Sequence, residues 1–97
     1  MLKGKQRSYL RGKANSMNPL FQVGKNGITE NVITQVDNAL EARELIKLRI
    51  LETSLYTARE AAEELAEECQ AEIIQTIGNV VILFRKNEED SKYNLPS

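Results

Sequence analysis

Histidine is absent from this 97-residue sequence, and cysteine occurs once, as Cys69. Histidine is the side chain most often used for acid–base catalysis and for transition-metal binding near neutral pH, so its absence argues against both activities. A single cysteine excludes an internal disulfide and a cysteine-based zinc site, and it fits a reducing compartment. We therefore expect a protein that is not an enzyme and that holds no metal or cofactor.

Long hydrophobic runs are also absent. The longest aliphatic and aromatic stretch, residues 80–84, is far shorter than a bilayer-spanning helix, and charges occupy the N-terminal segment where a signal peptide needs apolar residues. Hydrophobic residues make up 41% and charged residues 28% of the chain, proportions typical of a soluble globular protein. We expect a cytoplasmic monomer with one domain, residues 1–86. Residues 87–97 have neither periodicity nor apolar density, and we expect this tail to be poorly ordered.

Acidic residues are missing from the first 29 positions, which carry six basic ones. The remaining seven Lys and Arg residues stand against all 14 Asp and Glu residues, so the two segments have formal charges of +6 and −7 although the whole chain has −1. Such separation is typical of a surface that meets a polyanion, with the acidic remainder limiting indiscriminate binding.

Apolar periodicity predicts an α/β domain with the order α-β-α-β-α-β-β and a four-stranded mixed sheet. Thr29 is expected to cap the second helix, and Thr57 with Glu60 has the spacing of a capping box at the start of the third. Gly78 and Asn79 can supply the positive φ angles of a tight hairpin, and the consecutive apolar residues of the last strand predict a place inside the sheet. The predicted helices are 3–17, a second from Thr29 to about residue 43 and a third from Thr57, and the predicted strands are 20–23, 45–51, 72–77 and 80–85.

A turn bracketed by two glycines, Gly24-Lys25-Asn26-Gly27, joins the first predicted strand to the second helix. Glycines let the backbone approach a ligand closely, and the amides and dipole of the following helix favour an anion at the same point. Lys25 adds a full positive charge, and Asn26 can donate and accept hydrogen bonds. The turn lacks the spacing of a P-loop or of a dinucleotide fold, so a single backbone phosphate suits it best. Taken alone, this tetrapeptide is usually an ordinary turn.

Four segments around this turn share a pattern with one known family. They are Lys3-Gly4-Lys5-Gln6-Arg7-Ser8-Tyr9-Leu10-Arg11, Pro19-Leu20-Phe21-Gln22-Val23-Gly24-Lys25-Asn26-Gly27-Ile28-Thr29, Glu44-Leu45-Ile46-Lys47-Leu48-Arg49-Ile50 and Ile77-Gly78-Asn79-Val80-Val81-Ile82-Leu83-Phe84-Arg85. Together they resemble the YhbY/CRM family (chloroplast RNA splicing and ribosome maturation), over about residues 2–86. The chain is more similar to the stand-alone bacterial YhbY type than to the multi-domain plant splicing factors.

The resemblance implies an RNA-binding domain similar in fold to the C-terminal domain of bacterial translation initiation factor three. It also implies association with ribosomal RNA in precursors of the large ribosomal subunit. The family's Gly-x-x-Gly loop maps onto residues 24–27, and its basic first helix maps onto Lys5, Arg7 and Arg11. The chain departs from the family pattern at three positions, where two histidines and a tyrosine are replaced by Asn15, Arg43 and Phe84.

The candidate RNA-binding residues lie on the basic first helix, in the glycine turn and on one face of the strand 45–51. Alternation along that strand places Lys47 and Arg49 opposite its core face. RNA contact and an ordinary half-exposed strand fit these two residues about equally well. The complete set is Lys3, Lys5, Arg7, Arg11, Lys13, Gly24, Lys25, Asn26, Gly27, Lys47 and Arg49.

Two other functions stay open at this stage. A protein–protein interaction module would use the third helix, whose glutamates Glu63, Glu64, Glu67 and Glu68 are predicted to face water. A phosphate-handling enzyme is disfavoured, because histidine is missing and no paired carboxylate motif lies near the glycine turn.

Overall fold

The chain folds in the predicted order of helices and strands. A computed structural model describes residues 2–52, 56–89 and 91–96. The elements are α1 (Gly4–Ala14), β1 (Phe21–Val23), α2 (Glu30–Arg43), β2 (Leu45–Ile50), α3 (Ala58–Cys69), β3 (Glu72–Ile77) and β4 (Val80–Phe84). Within these described residues, no helix has both the length and the apolar character that a membrane span requires.

The four strands form one mixed sheet in the spatial order β1-β2-β4-β3. β1 pairs in parallel with β2, whereas β4 pairs antiparallel with both β2 and β3. β4 is therefore an interior strand, and its consecutive residues Val81 to Phe84 are buried, as predicted. At the β3–β4 hairpin, Gly78 has a φ of +56° but Asn79 has a negative one, so only one of the two turn residues adopts the predicted positive φ.

Helices cover both faces of the sheet. Leu40 of α2 and Leu65 of α3 join one hydrophobic core with the β2 and β4 side chains of that face. On the opposite face lies α1, whose Leu10 joins a second core with Leu45 and Phe84. Burial of a large aliphatic side chain of this kind contributes about 1.5–3 kcal/mol to folding. The basic helix and the acidic helix consequently lie on opposite sides of the sheet.

α1 is shorter than the predicted helix 3–17, because the hydrogen bonds after Ala14 change from the α-helical pattern to that of a turn. The Met17 amide donates to the Ala14 carbonyl at 3.0 Å and closes a turn. The Lys47 ammonium donates to the Ala14 and Met17 carbonyls at 3.3 and 3.1 Å. A cation at this end also interacts favourably with the helix dipole.

The caps predicted for α2 and α3 are present. Thr29 Oγ1 accepts a hydrogen bond from the Val32 amide at 3.3 Å. Thr57 Oγ1 accepts from the Glu60 amide at 3.1 Å, and the Glu60 carboxylate accepts from the Thr57 amide at 2.9 Å, which confirms the capping box. The cap at Thr29 fixes the start of α2 just after the glycine turn.

The carboxylate of Glu44 holds the segment that follows β4. Glu44 comes directly after α2, is 1% exposed and has a φ of +66°. It accepts hydrogen bonds from the Asn87 amide at 2.9 Å, from the Ser91 hydroxyl at 2.8 Å and from the Lys92 amide. Burial alone would raise the pKa of this carboxyl, but the three hydrogen bonds and the charge of Lys92 outweigh burial and lower the pKa below its ordinary value.

The tail also contacts α1 and the sheet. The ring of Tyr93 packs edge-on against Phe84 with 6.0 Å between centroids, and the Gln6 side chain donates to the Pro96 carbonyl at 3.0 Å. The described tail residues contain no helix or strand, and these contacts place residues 93–96 beside α1 and β4. Two further residues of the predicted tail, Asp90 and Ser97, lie outside the described residues.

Candidate nucleic-acid interface

The glycine loop, residues 24–27, is a tight turn at the end of β1. The Gly27 amide donates to the Gly24 carbonyl at 3.0 Å, and Gly27 has a φ of +70°, in the left-handed region that favours glycine. The side chains of Lys25 and Asn26 are exposed. The loop therefore presents a cation and an amide group to solvent.

The two glycines of the loop have different surroundings. A Cβ atom on Gly27 would lie 2.6 Å from Cε2 of Tyr56, whereas one on Gly24 would lie 3.7 Å from Cδ1 of Leu51, an ordinary van der Waals distance. Gly27 is also buried. Its positive φ and the Tyr56 ring thus require glycine at position 27 even without a ligand. Gly24 is partly exposed and has no such neighbour.

Tyr56 connects the glycine loop to α3. The negative charge of Glu64, followed by burial and a hydrogen bond with the Glu64 carboxylate, raises the pKa of Tyr56. Glu64 is therefore half-buried and engaged, contrary to the prediction that it faces water, whereas Glu63, Glu67 and Glu68 are exposed as predicted. Sequence reasoning missed Tyr56. The available signal was its position directly before a helix cap, where an apolar residue often packs against the first turn.

The backbone of the glycine loop offers two free donors. In the described part of the chain, the Lys25 and Asn26 amides donate to no acceptor. The start of α2 is a weaker anion site than the sequence indicates, since Thr29 Oγ1 takes the Val32 amide and the acidic Glu30 lies in the first turn. The Lys25 side chain and the loop amides are therefore a stronger anion-binding feature than the start of α2.

Four of the predicted cations at α1 keep their charge uncompensated. Lys3, Lys5, Arg11 and Lys13 form no salt bridge within the described residues. The Lys13 ammonium lies 5.5 Å from the ring centroid of Tyr9, one helical turn earlier, in a cation–π contact that leaves its charge intact. All but Arg11, which is half-buried, are exposed. This surface can therefore meet several phosphates.

Two predicted RNA-contacting residues have partners inside the protein. The Arg7 guanidinium donates to the Ile73 carbonyl and forms a 3.1 Å salt bridge with Glu72. The Lys47 ammonium binds the carbonyls at the end of α1. Arg7 thus ties α1 to β3, and Lys47 ties it to β2. By contrast, Arg49 is exposed and has no side-chain partner among the described residues.

Comparison with known proteins assigns the chain and its fold to one family. The family model of the CRS1 / YhbY (CRM) domain matches residues 2–85. The chain belongs to the CRS1 / YhbY (CRM) family. This confirms the resemblance seen in the four sequence segments, and it means that the glycine loop lies within the matched CRM domain.

Individual relatives of this CRM domain are similar over nearly their whole length. The Bacillus subtilis protein named Probable RNA-binding protein YqeI is 43% identical over 99% of this chain and 100% of the relative. A Haemophilus influenzae protein named RNA-binding protein is 37% identical over 98% of this chain and 95% of the relative. The solution structure of SAV1595 from Staphylococcus aureus matches with a TM-score of 0.83 and 44% identity, over 99% of this chain and all of that one. The α/β CRM fold is thereby confirmed.

Proposed function

We propose that this CRM-family chain binds ribosomal RNA in precursors of the large ribosomal subunit and assists assembly of that subunit as a cytoplasmic monomer. The binding surface consists of Lys3, the exposed side of α1, the glycine loop and Arg49. The proposal requires contact and positioning of RNA and no chemical step, so we propose no enzymatic activity.

The observation that carries the proposal is the distribution of paired and unpaired cations. Within the described residues, the salt bridges engage Arg7, Arg59 and Arg85. Arg43, Lys86 and Lys92 are outside those salt bridges but lie elsewhere on the chain. The cations of the proposed surface are also outside them, and they are Lys3, Lys5, Arg11, Lys13, Lys25 and Arg49. Cations without internal carboxylate partners can neutralise phosphates. The nucleic acid then releases the counterions bound to those phosphates, which is the main source of affinity for nucleic acid.

The position of α3 supports the same orientation of the RNA. α3 packs on the sheet face opposite α1, and Glu63, Glu67 and Glu68 are exposed on it. These charges repel a polyanion, so RNA is directed to the α1 side.

The relatives support RNA as the ligand, because two of them carry RNA binding in their names and align over at least 98% of this chain. The more specific ligand comes from the family. The YhbY/CRM resemblance implies precursors of the large subunit, and the charge pattern alone would not select ribosomal RNA, since phosphate contacts carry no sequence information.

A binding titration with matched charge variants tests the proposed surface. Arg11→Ala and Lys25→Ala each remove one charge from it, whereas Arg59→Ala removes one charge from α3. With a fragment of large-subunit ribosomal RNA, we expect each of the first two variants to bind about fivefold more weakly and Arg59→Ala to bind within twofold of the parent. Equal losses in all three variants would show that only net charge matters and would contradict the proposed surface.

Crosslinking in cells tests the choice of RNA. The protein is crosslinked in growing cells, and the attached RNA is sequenced and compared with that captured by the Arg11→Ala/Lys25→Ala double variant. We expect enrichment of large-subunit precursor RNA with the parent and loss of it with the double variant. Enrichment of small-subunit or messenger RNA would leave RNA binding in place and overturn the ribosomal assignment.

A further inference from the structure

One row of side chains crosses all four strands on the α1 side of the sheet. Strand pairing aligns Gln22 with Arg49, Arg49 with Val80, and Val80 with Ile77. Residues directly opposite each other in paired strands point to the same face. At about 4.8 Å per strand, this row, which we call the open row, is about 15 Å long.

α1 leaves most of the open row uncovered, and only the edge of the α1 core reaches it, at Val80. The buried contacts of α1 involve Leu45, Ile82 and Phe84, which lie in neighbouring rows of the same face. In the open row, Gln22 and Arg49 are exposed, Val80 is half-buried, and Ile77 is 55% exposed. Ile77 is the exposed large hydrophobic residue of the described part of the chain. Ile77 pairs with Val80 across the β3–β4 ladder, so the two side chains form one small apolar patch on this face.

The open row lies between the two elements of the proposed RNA surface. On one side, Lys47 of the next row binds the carbonyls at the end of α1. At the β1 end of the row, only Val23 separates Gln22 from the glycine loop along the chain. A nucleic-acid strand that touches both α1 and the glycine loop must therefore pass over or beside the row.

The chemistry of the open row fits a nucleotide that is not base-paired. Duplex RNA presents phosphates and ribose hydroxyls, which gain little from Val80 and Ile77. The face of an unpaired base, by contrast, can pack on these two aliphatic side chains and on the planar guanidinium of Arg49. Gln22 adds an amide that can donate to or accept from a base edge.

We propose that the open row seats an unpaired nucleotide of the bound RNA, with Val80 and Ile77 beneath the base and Arg49 against the base or its phosphate. This inference rests on the proposed RNA surface and extends it from phosphate contact to recognition of unpaired RNA. The row is then the part of the surface that distinguishes single-stranded from duplex RNA.

The test compares two RNAs of equal phosphate number, a single-stranded oligonucleotide and a perfect duplex, by fluorescence anisotropy at one salt concentration. Ile77→Ser removes the apolar surface next to the hairpin turn, and Arg49→Gln removes the guanidinium while keeping a polar side chain. We expect each variant to bind the single strand about fivefold more weakly. Duplex binding should change less than twofold for Ile77→Ser.

Lys25→Ala and thermal unfolding supply the controls. Lys25→Ala should weaken the binding of both RNAs by the same factor. If Ile77→Ser unfolds, Arg49→Gln still tests the inference, provided that its melting temperature equals that of the parent. If Lys25→Ala weakens binding while both row variants bind single strands like the parent, the inference is wrong and the proposed function stands. If no variant affects either RNA, the proposed function fails as well. A dimer of the parent that Ile77→Ser dissociates would assign the row to a contact between two copies and would also overturn the inference.

Discussion

The ring of Tyr56 occupies the space that a side chain on Gly27 would need, with Cε2 at 2.6 Å from an ideal Cβ position. The same tyrosine bonds to Glu64 of α3. The inner side of the glycine loop therefore packs against Tyr56 and, through it, α3, while the side chains of Lys25 and Asn26 face solvent. The shape of the loop therefore depends partly on Tyr56, which is 29 residues from Gly27 in the sequence.

Gly27 and Gly24 should respond differently to alanine. Gly27→Ala combines a φ of +70° with the clash against Tyr56, and we expect it to lower the free energy of unfolding by about 1–3 kcal/mol. Gly24→Ala meets neither obstacle and should leave stability within about 0.5 kcal/mol of the parent. Urea unfolding of the two variants measures the difference. Similar values for both would show that Tyr56 does not constrain the loop.

Tyr56 should affect RNA binding through the glycine loop. Tyr56→Ala removes the ring that packs on Gly27, so the loop loses its support and Lys25 contributes less to affinity. Tyr56→Phe keeps the ring and removes the hydrogen bond to Glu64. Its affinity for RNA should therefore be closer to that of the parent than the affinity of Tyr56→Ala is. A double-mutant cycle with Lys25→Ala measures the coupling. Purely additive losses for Tyr56→Ala and Lys25→Ala would contradict a positioning role.

Glu44 should make stability depend on pH in the acid range. Because its pKa is lower in the folded protein than in the unfolded chain, its contribution is present above the ordinary carboxyl pKa and is lost as pH falls through the lowered value. Glu44→Gln removes the charge from three hydrogen bonds and should cost about 2 kcal/mol at neutral pH. Unfolding measured from neutral to acid pH should show a steeper fall for the parent than for the variant. Parallel curves would mean that Glu44 is not the group responsible.

The helices and strands could be predicted from the sequence, but the long-range contacts between them could not. Periodicity and the caps at Thr29 and Thr57 are local signals, so the order of helices and strands could be predicted. The face that α1 covers could not, because it depends on packing between distant strands. Glu44 looks like an ordinary polar residue at a helix end, and only the fold shows that it is buried with a positive φ. The candidate cations were identified by charge alone, which could not separate Arg7 from Arg11.

The last turn of α3 should tolerate loss of its negative charge. Glu67 and Glu68 are exposed near the C-terminal end of α3, where no basic residue offsets the dipole. Glu67→Gln/Glu68→Gln should raise the free energy of unfolding by about 0.5 kcal/mol and strengthen nonspecific RNA binding about twofold. Thermal melts and anisotropy with unrelated RNA measure both. Loss of RNA binding would show that α3 takes part in RNA contact and would contradict the proposed orientation of the RNA.

Salt dependence of RNA binding tests the central claim most directly. Of the six unpaired cations on the proposed surface, about four to six should neutralise phosphates, which predicts a slope of log K against log salt of about −3 to −5. Lys25→Ala should reduce the magnitude of this slope by about one unit without changing the fold. The measurement is a set of anisotropy titrations of parent and variant at several salt concentrations. A slope near zero, or an unchanged slope in Lys25→Ala, would contradict binding of RNA through this surface.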